Sequence, residues 1–518
     1  MADQPELGLE SASGEEPLAR DQHLRGSALL LVGRAVNIGL DLTAQVMIVR
    51  YLSTSDYGAF AYALSVVAFV SSFATLGLDK TVGRFIPMYD EQRDYDRLFG
   101  MWLLVSAIVV AAGVLLLVLV HGLQFILAGT LVSDPVALTL LLVLILTTPI
   151  NALGAISRQL AATFASPWLL LVRNYLVGPT LQLGVVVLVV TAHSTVTVFA
   201  IGYVAAAAVS SFVALALVVS VLRRQGLLTH LRFDHLRFPT AEAFGFALPL
   251  FASGILLQLR ITVTVVLLEM QRSTADVALL RAALPIARQN MVLLETMQIL
   301  FIPLAARLFA RRDRRGLDDL YWSSATFIAV FTFPLFLLSF SLAGPVTVLF
   351  YGDRYLAAAP VLAVLALGHY VNAALGFNGV VLRIVGQVRY LVAVDVVSTA
   401  AGLLLASLLI ERLGSLGAAI GITSVFLVQN ALLHAGLAIR AGVDVLRREY
   451  LPVYVAIALF PVLLLVVQTT AHPPISISLG LAAAASIAIL VVARRSLRIG
   501  QAFPELRNIR VLRWLLGD

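Results

Sequence analysis

The chain reads as an all-α integral membrane protein of about 14 transmembrane helices, and three observations lead there. Hydrophobic residues make up 60% of it and charged ones only 13%, with a mean hydropathy of +0.96, which excludes an ordinary soluble domain. Apolar runs of about 20 residues, the length that spans a hydrocarbon core, recur from one end to the other. Arginine collects in alternate connections, the asymmetry that sets membrane orientation.

Taken in order, the spans fall at about 27–49, 58–79, 98–120, 137–157, 170–192, 197–221, 243–267, 276–302, 321–343, 358–381, 390–410, 416–438, 451–470 and 475–493. Residues 1–24 are acidic, with Ser, Gly and Pro and no positive n-region, and read as a disordered cytoplasmic tail. With the N-terminus inside, the Arg-rich stretches 80–97, 223–237, 307–315, 440–448 and the tail from Arg494 all face the cytoplasm. The other side keeps only Arg50, Arg272, Arg354 and Arg412, so both termini are expected inside. The basic tail 494–518 spaces Arg507, Arg510 and Arg513 opposite Leu506, Ile509 and Trp514, as either an interfacial helix or a plain stop-transfer flank.

A weak internal repeat sets the domain organisation. LSTSDYGAFAYAL before span two resembles QRSTADVALLRAAL before span eight, and LVRNYLVGPTLQLGVVVLVV resembles QVRYLVAVDVVSTAAGLLLA. Six spans per copy is an even number, so the copies share an orientation. The expected layout is an N-lobe at 25–222, a cytoplasmic link at 223–242 and a C-lobe at 243–440. Two further spans follow at 441–493. The two lobes are pseudo-symmetric.

Composition also excludes functions. There is no cysteine, hence no disulfide, thiolate nucleophile or Cys-based metal site. The histidines are scattered, and His230 and His235 in the link lack further ligands, so no metal site is expected. No nucleotide-binding loop or Ser/His/Asp order stands out. The basic pI follows membrane sidedness, and no nucleic-acid partner is expected. GSLGAAIG at 414–421 opens a span and reads as a helix-packing surface.

The polar residues inside the spans are the informative ones, because a charge at bilayer depth is costly and usually faces a polar interior. Arg34 and Asp41 in span one are seven apart and share a helix face, with Asn37 and Gln45 on or near the same stripe. In span eight Arg281, Arg288 and Glu295 repeat the spacing, and Pro285 is expected to kink the helix beside Arg288. Arg260 in span seven, near Gln258, completes the set of intramembrane arginines. Asp395 in span eleven has no assigned partner.

The segment RYLSTSDYGAFAYALSVVAFVSSFATLGLDKTVGRFIPMY resembles the first hairpin of polysaccharide flippases of the multidrug/oligosaccharidyl-lipid/polysaccharide exporter superfamily. That hairpin has an L-x(3–4)-[DE]-Y-G turn, then an apolar helix ending in Gly and an Arg-bearing segment. In the second half, LFYGDRYLAAAPVLAVLALG is similar to the family's L-[FY]-G-x-x-[YF]-x-x-A-x-P-x-L segment, and ERLGSLGAAIGI to its closing turn. The likeness extends over about 26–448 and rests on turns and helix starts. It implies transport of a lipid-linked oligosaccharide, usually on polyprenyl pyrophosphate, from inner to outer leaflet of the cell membrane for surface polysaccharide assembly. The lipid II flippase of the superfamily has fourteen helices, a basic cavity and a lipid-tail groove on its last two helices, which implies a role for 441–493 here.

Moving a diphosphate past hydrocarbon suits guanidinium groups, which stay charged and bind phosphate oxygens through a planar fork. On that reading Arg34, Arg260, Arg281 and Arg288 are the headgroup-binding candidates. Asn37, Asp41, Gln45 and Glu295 are polar or coupling candidates of the cavity. Competing readings stay open: Arg34 with Asp41 and Arg288 with Glu295 as structural ion pairs, and Arg281 snorkelling to the outer surface. Asp41 either tunes Arg34, carries a coupling H+ or Na+, or balances charge. Lys80 and Arg84, beside Asp79, receive the headgroup at the inward mouth or simply anchor the helix end. Asn372, Asn378, Gln429 and Asn430 bind sugar hydroxyls or each other.

The resemblance implies alternating access without a cofactor, by a chain complete as a monomer, among membrane lipids and with glycan polymerase or assembly proteins as partners. An ion-coupled drug or metabolite antiporter of the same superfamily is the near alternative, and a membrane glycan polymerase or glycosyltransferase the remote one.

Overall fold

The computed structural model describes residues 12–130, 132–164, 169, 171–444 and 447–494. Every regular element among them is helical, as hydrocarbon demands of a chain whose backbone polar groups must pair internally. The first part runs α1 (Ala12–Tyr51), α2 (Thr54–Thr75), α3 (Leu78–Glu91), α4 (Tyr95–Gly122), α5 (Gln124–Thr130), α6 (Pro135–Leu144), α7 (Thr147–Phe164), α8 (Gly178–Thr191) and α9 (Val196–Arg224). There follow α10 (Thr240–Gln271), α11 (Thr274–Arg288), α12 (Val292–Ala310), α13 (Arg314–Phe340), α14 (Ala343–Tyr351) and α15 (Ala359–Ala374). Last come α16 (Asn378–Ile384), α17 (Val388–Leu413), α18 (Ser415–Gly436), α19 (Leu451–Ala471) and α20 (Ile475–Ala493).

Among the described residues 11 helices are long and apolar enough to cross a membrane, or up to 12 if the pair α6–α7, bent by 41°, is one span. The expected fourteen also counted α10 and the stretch 170–192, whose apolar helix Tyr175–Thr191 is shorter. The helix α10 is unbroken over 32 residues; elsewhere breaks interrupt runs that hydropathy reads as smooth. Pro149 sits in the first turn of α7 and cannot extend a ladder from α6. A π turn, Val172–Val177, precedes α8. The expected kink at Pro285 falls one turn late: α11 runs through that proline and gives way at the 3-10 turn Gln289–Met291.

At the N-terminus α1 begins at Ala12, inside the stretch expected as a tail. Residues 1–11 and the expected interfacial helix at 503–516 lie outside the described residues.

The chain forms two compact units. One comprises 1–51, 66–127 and 138–255. Its core joins Leu78, Val82, Phe85, Ile86 and Tyr89 of α3 to Leu98 and Phe99 of α4, Ile156 and Leu160 of α7, and Ala243 and Ala247 of α10. The stretch expected as a basic loop is therefore an amphipathic helix in its first part, with its apolar residues on one face and Lys80 and Arg84 exposed on another. The link before α10 crosses α4 closely. A Cβ at Gly100 would stand 1.9 Å from the Arg237 carbonyl oxygen, so only glycine fits. The His230 ring stacks on Tyr95 at 4.3 Å, and the Tyr89 hydroxyl donates to Glu242 at 2.7 Å. No group of acids and histidines able to hold a metal occurs among the described residues.

The other unit comprises 52–65, 128–137 and 256–518. Its centre is α13, where Tyr321 and Phe333 are fully buried. Phe336 stacks on Tyr370 at 4.0 Å, and Phe301 on Phe377 at 4.0 Å. Helices α17 and α18 meet along glycine: a Cβ at Gly417 would lie 2.5 Å from the Leu409 carbonyl, which makes GSLGAAIG a packing surface. The stretch before α19 is pinned to the start of α13. Trp322 Nε1 donates to the Asp444 carbonyl at 2.9 Å, its ring stacks on Tyr450, and Arg447 pairs with Asp318, Asp319 and Glu449.

Candidate functional site

Each unit carries its own set of polar groups. In the first, Arg34, Asn37, Asp41 and Gln45 follow one stripe of α1, with Arg34 half-buried and Asp41 exposed. Asn37 hydrogen-bonds Asp41 one turn away. The neighbouring face of α1 packs closely on the π turn, where a Cβ at Gly33 would be 3.0 Å from both Leu171 and Tyr175 side chains. On α3 the Arg84 guanidinium lies over the Phe246 ring at 4.5 Å and the Phe85 ring at 5.4 Å, so aromatic faces hold its charge. Lys80 stays exposed on the same helix.

In the second unit Arg260 is half-buried in α10, and its Nε has no hydrogen-bond partner among the described residues. The charge that acts on it belongs to Asp395, the acid left without a partner by sequence reasoning. Asp395 in turn accepts a hydrogen bond from Gln429 Nε2 at 2.6 Å, which ties α17 to α18. Arg260, Asp395 and Gln429 therefore form a polar group in an apolar bundle. Gln258 donates to the Thr262 hydroxyl at 3.4 Å. Arg288 stands exposed at the end of α11, and its Nη2 is 3.8 Å from Glu295 Oε1 across the helix break. Arg281, half-buried, lies two turns earlier on the same face of α11.

The amide residues take the interhelical reading. Asn378 Nδ2 donates to Asn430 Oδ1 at 2.7 Å, and Asn430 Nδ2 to Asn372 Oδ1 at 2.9 Å. With Asn430 1% exposed, this ladder joins α15, α16 and α18. Beside it opens an apolar groove of about 280 Å³ between α13, α15 and α19, lined by Phe340, Leu367, Val371, Ala374, Ile457 and Val462 among others.

Sequence reasoning missed Arg158 and Glu269. Arg158 is exposed on α7, within electrostatic reach of Asp79 at the start of α3. Each stands at the edge of an expected span, where a charge reads as a flank.

Membrane-length apolar helices, with arginines and acids along them, define a multi-pass membrane protein. The chain belongs to the family described as polysaccharide biosynthesis protein, whose model matches residues 47–360. No curated protein matches it. Among solved structures it is similar to the lipid II flippase MurJ in an inward closed conformation, at 14% identity over 91% of this chain and 99% of that one, TM-score 0.68. An inward-facing multidrug resistance MATE family transporter of the MOP superfamily matches at 14% identity over 80% and 98%, TM-score 0.62. A MOP superfamily transporter from Pyrococcus furiosus, whose binding pocket has reverse polarity, matches at 12% identity over 81% and 96%, TM-score 0.56. At these identities the likeness is one of fold.

Proposed function

We propose that the protein is a flippase that carries a polyprenyl pyrophosphate-linked oligosaccharide from the inner to the outer leaflet of the cell membrane by alternating access. The observation that carries this reading is Arg260: a half-buried guanidinium in the 32-residue helix α10 of a polysaccharide-biosynthesis protein, with its Nε unpartnered among the described residues. A guanidinium that keeps donor capacity at depth is matched to a phosphate oxygen. Arg34, Arg281 and Arg288 are the further headgroup contacts of this reading. The apolar groove beside α19 is suited to the hydrocarbon tail of such a substrate. Both termini face the cytoplasm, the monomer is the working unit, and H+ or Na+ drives the cycle.

The test is leaflet transfer of a fluorescent undecaprenyl-pyrophosphate oligosaccharide in proteoliposomes, at matched incorporation. Wild type should transfer it, and Arg260→Ala, Arg34→Ala and Arg288→Ala should each lose most of the rate. Export of an organic cation with no glycolipid transfer would replace the flippase with the antiporter to which the likeness to multidrug transporters points.

A further inference from the structure

The segments 52–65 and 128–137 belong by sequence to the first half of the chain, yet they pack into the unit built from 256–518. Close contacts hold them there. The Thr274 carbonyl lies against Gly58 so tightly that a Cβ would stand 1.7 Å from its oxygen. The Thr274 hydroxyl donates to Asp134 Oδ2 at 3.0 Å and lies 3.3 Å from the Ser55 hydroxyl. Five residues earlier, at the end of α10, the Ser133 amide donates to Glu269 Oε1 at 3.0 Å. These four contacts form a clasp within that unit.

Glu269 does not suit a purely structural clasp. It is 3% exposed, and its buried Oε2 has no hydrogen-bond partner among the described residues. The groups facing it are the Ser133 amide and hydroxyl and the Asp134 amide, which favour a carboxylate, and against them a second acid, Asp134, and the fully buried Tyr62 from α2. No cation pairs with it among the described residues: Arg272, one turn on, directs Nη2 to the Arg412 carbonyl at 3.2 Å. Asp276 is already satisfied by the Ser415 amide at 3.2 Å and the Ser273 hydroxyl at 3.1 Å. An ionised carboxylate with an empty oxygen, buried beside another carboxylate, is costly. A proton on Oε2 removes that charge.

We propose that Glu269 is a proton-binding site that locks this clasp, carrying a proton while the clasp is shut and releasing it to water as the clasp opens. The step is balanced: Oε2–H breaks, water accepts the proton, and the carboxylate gains solvent in place of the Ser133 amide. The proposal narrows the coupling ion of the flippase reading to H+ and rests on that reading only for its place in a transport cycle.

Since the chain has no cysteine, two introduced ones give a clean spectroscopic ruler. Val136→Cys and Leu413→Cys, at exposed positions of the same unit, would carry nitroxides for pulsed electron–electron distance measurement in nanodiscs, without any substrate. On raising the pH from 5 to 9 a longer distance should grow in, the ratio of open to shut rising by up to about tenfold per pH unit. Glu269→Gln, which mimics the protonated acid, should keep the short distance at every pH. Asp134→Asn should move the midpoint to lower pH by removing the facing charge. A distance that ignores pH in the unsubstituted background, or that follows pH equally in Glu269→Gln, overturns the proposal. So does a distance set by Na+ at constant pH. Because no glycolipid is involved, failure here leaves the flippase reading standing, and failure of the transfer assay leaves the clasp untouched.

Discussion

Arg447 is expected to hold the last two helices to the rest of their unit, and its removal gives a calculable effect. The guanidinium reaches Asp318, whose side chain is 7% exposed, and the more exposed Asp319 (61%) and Glu449 (39%). Exposed pairs contribute about 0–1 kcal/mol, so Asp319 and Glu449 matter little. Stripping the partner from a buried carboxylate costs about 3–5 kcal/mol, because the acid stays desolvated and unpaired. Although burial opposes the charge on Arg447, the hydrogen bond to Asp319 and the charges of Asp318 and Asp319 outweigh it and raise the guanidinium pKa. The guanidinium therefore stays charged across the accessible pH range. The amide of Asp444 reports on it directly, since it donates to Asp318 Oδ1 at 3.1 Å. In Arg447→Ala, hydrogen exchange of the 442–450 peptide should speed up by about 10²–10⁴-fold, the rate equivalent of that energy. Adding Asp318→Asn should restore most of the protection by removing the stranded charge, and Asp319→Ala alone should change exchange less than about fivefold. Exchange in Arg447→Ala within about threefold of wild type would refute the reasoning and mean that Trp322 and Tyr450 alone hold the segment.

Three further outcomes follow from the packing. Asn430→Ala removes three hydrogen bonds of the amide ladder, and at about 0.6 kcal/mol each within a membrane it should lower stability by about 2 kcal/mol, read as the midpoint of denaturation in detergent. Gly417→Ala forces a Cβ to within 2.5 Å of the Leu409 backbone, so overpacking should cost about 1–3 kcal/mol in the same assay, while Gly480→Ala, with open space around it, should cost almost nothing. Ala374→Phe should fill the apolar groove and slow transfer of a long-chain polyprenyl substrate more than a short-chain one, with stability kept within about 1 kcal/mol; equal slowing of both would remove the groove from the tail-binding reading.

Much of the molecule was legible in its sequence. Lipid leaves a chain only helices or closed barrels, so +0.96 in mean hydropathy and repeated apolar runs were enough for an all-helical membrane fold. GSLGAAIG read as packing because small residues have no other use at a helix interface. The cost of intramembrane charge made Arg260 and Asp395 conspicuous one by one. Tertiary structure alone decided their company. A hydropathy window averages about nineteen residues and cannot register a 3-10 turn at Gln289–Met291, which is where Arg288 meets Glu295. Nor can spacing along one helix show that Asp395 faces an arginine 135 positions earlier (395 − 260) and a glutamine on the next helix. Glu269 passed for a helix flank because burial of a residue at a span's end depends on segments far off in sequence, here Ser133 and Tyr62. Local sequence carries the free energy of insertion; the pairing of buried charges is a property of the packed bundle.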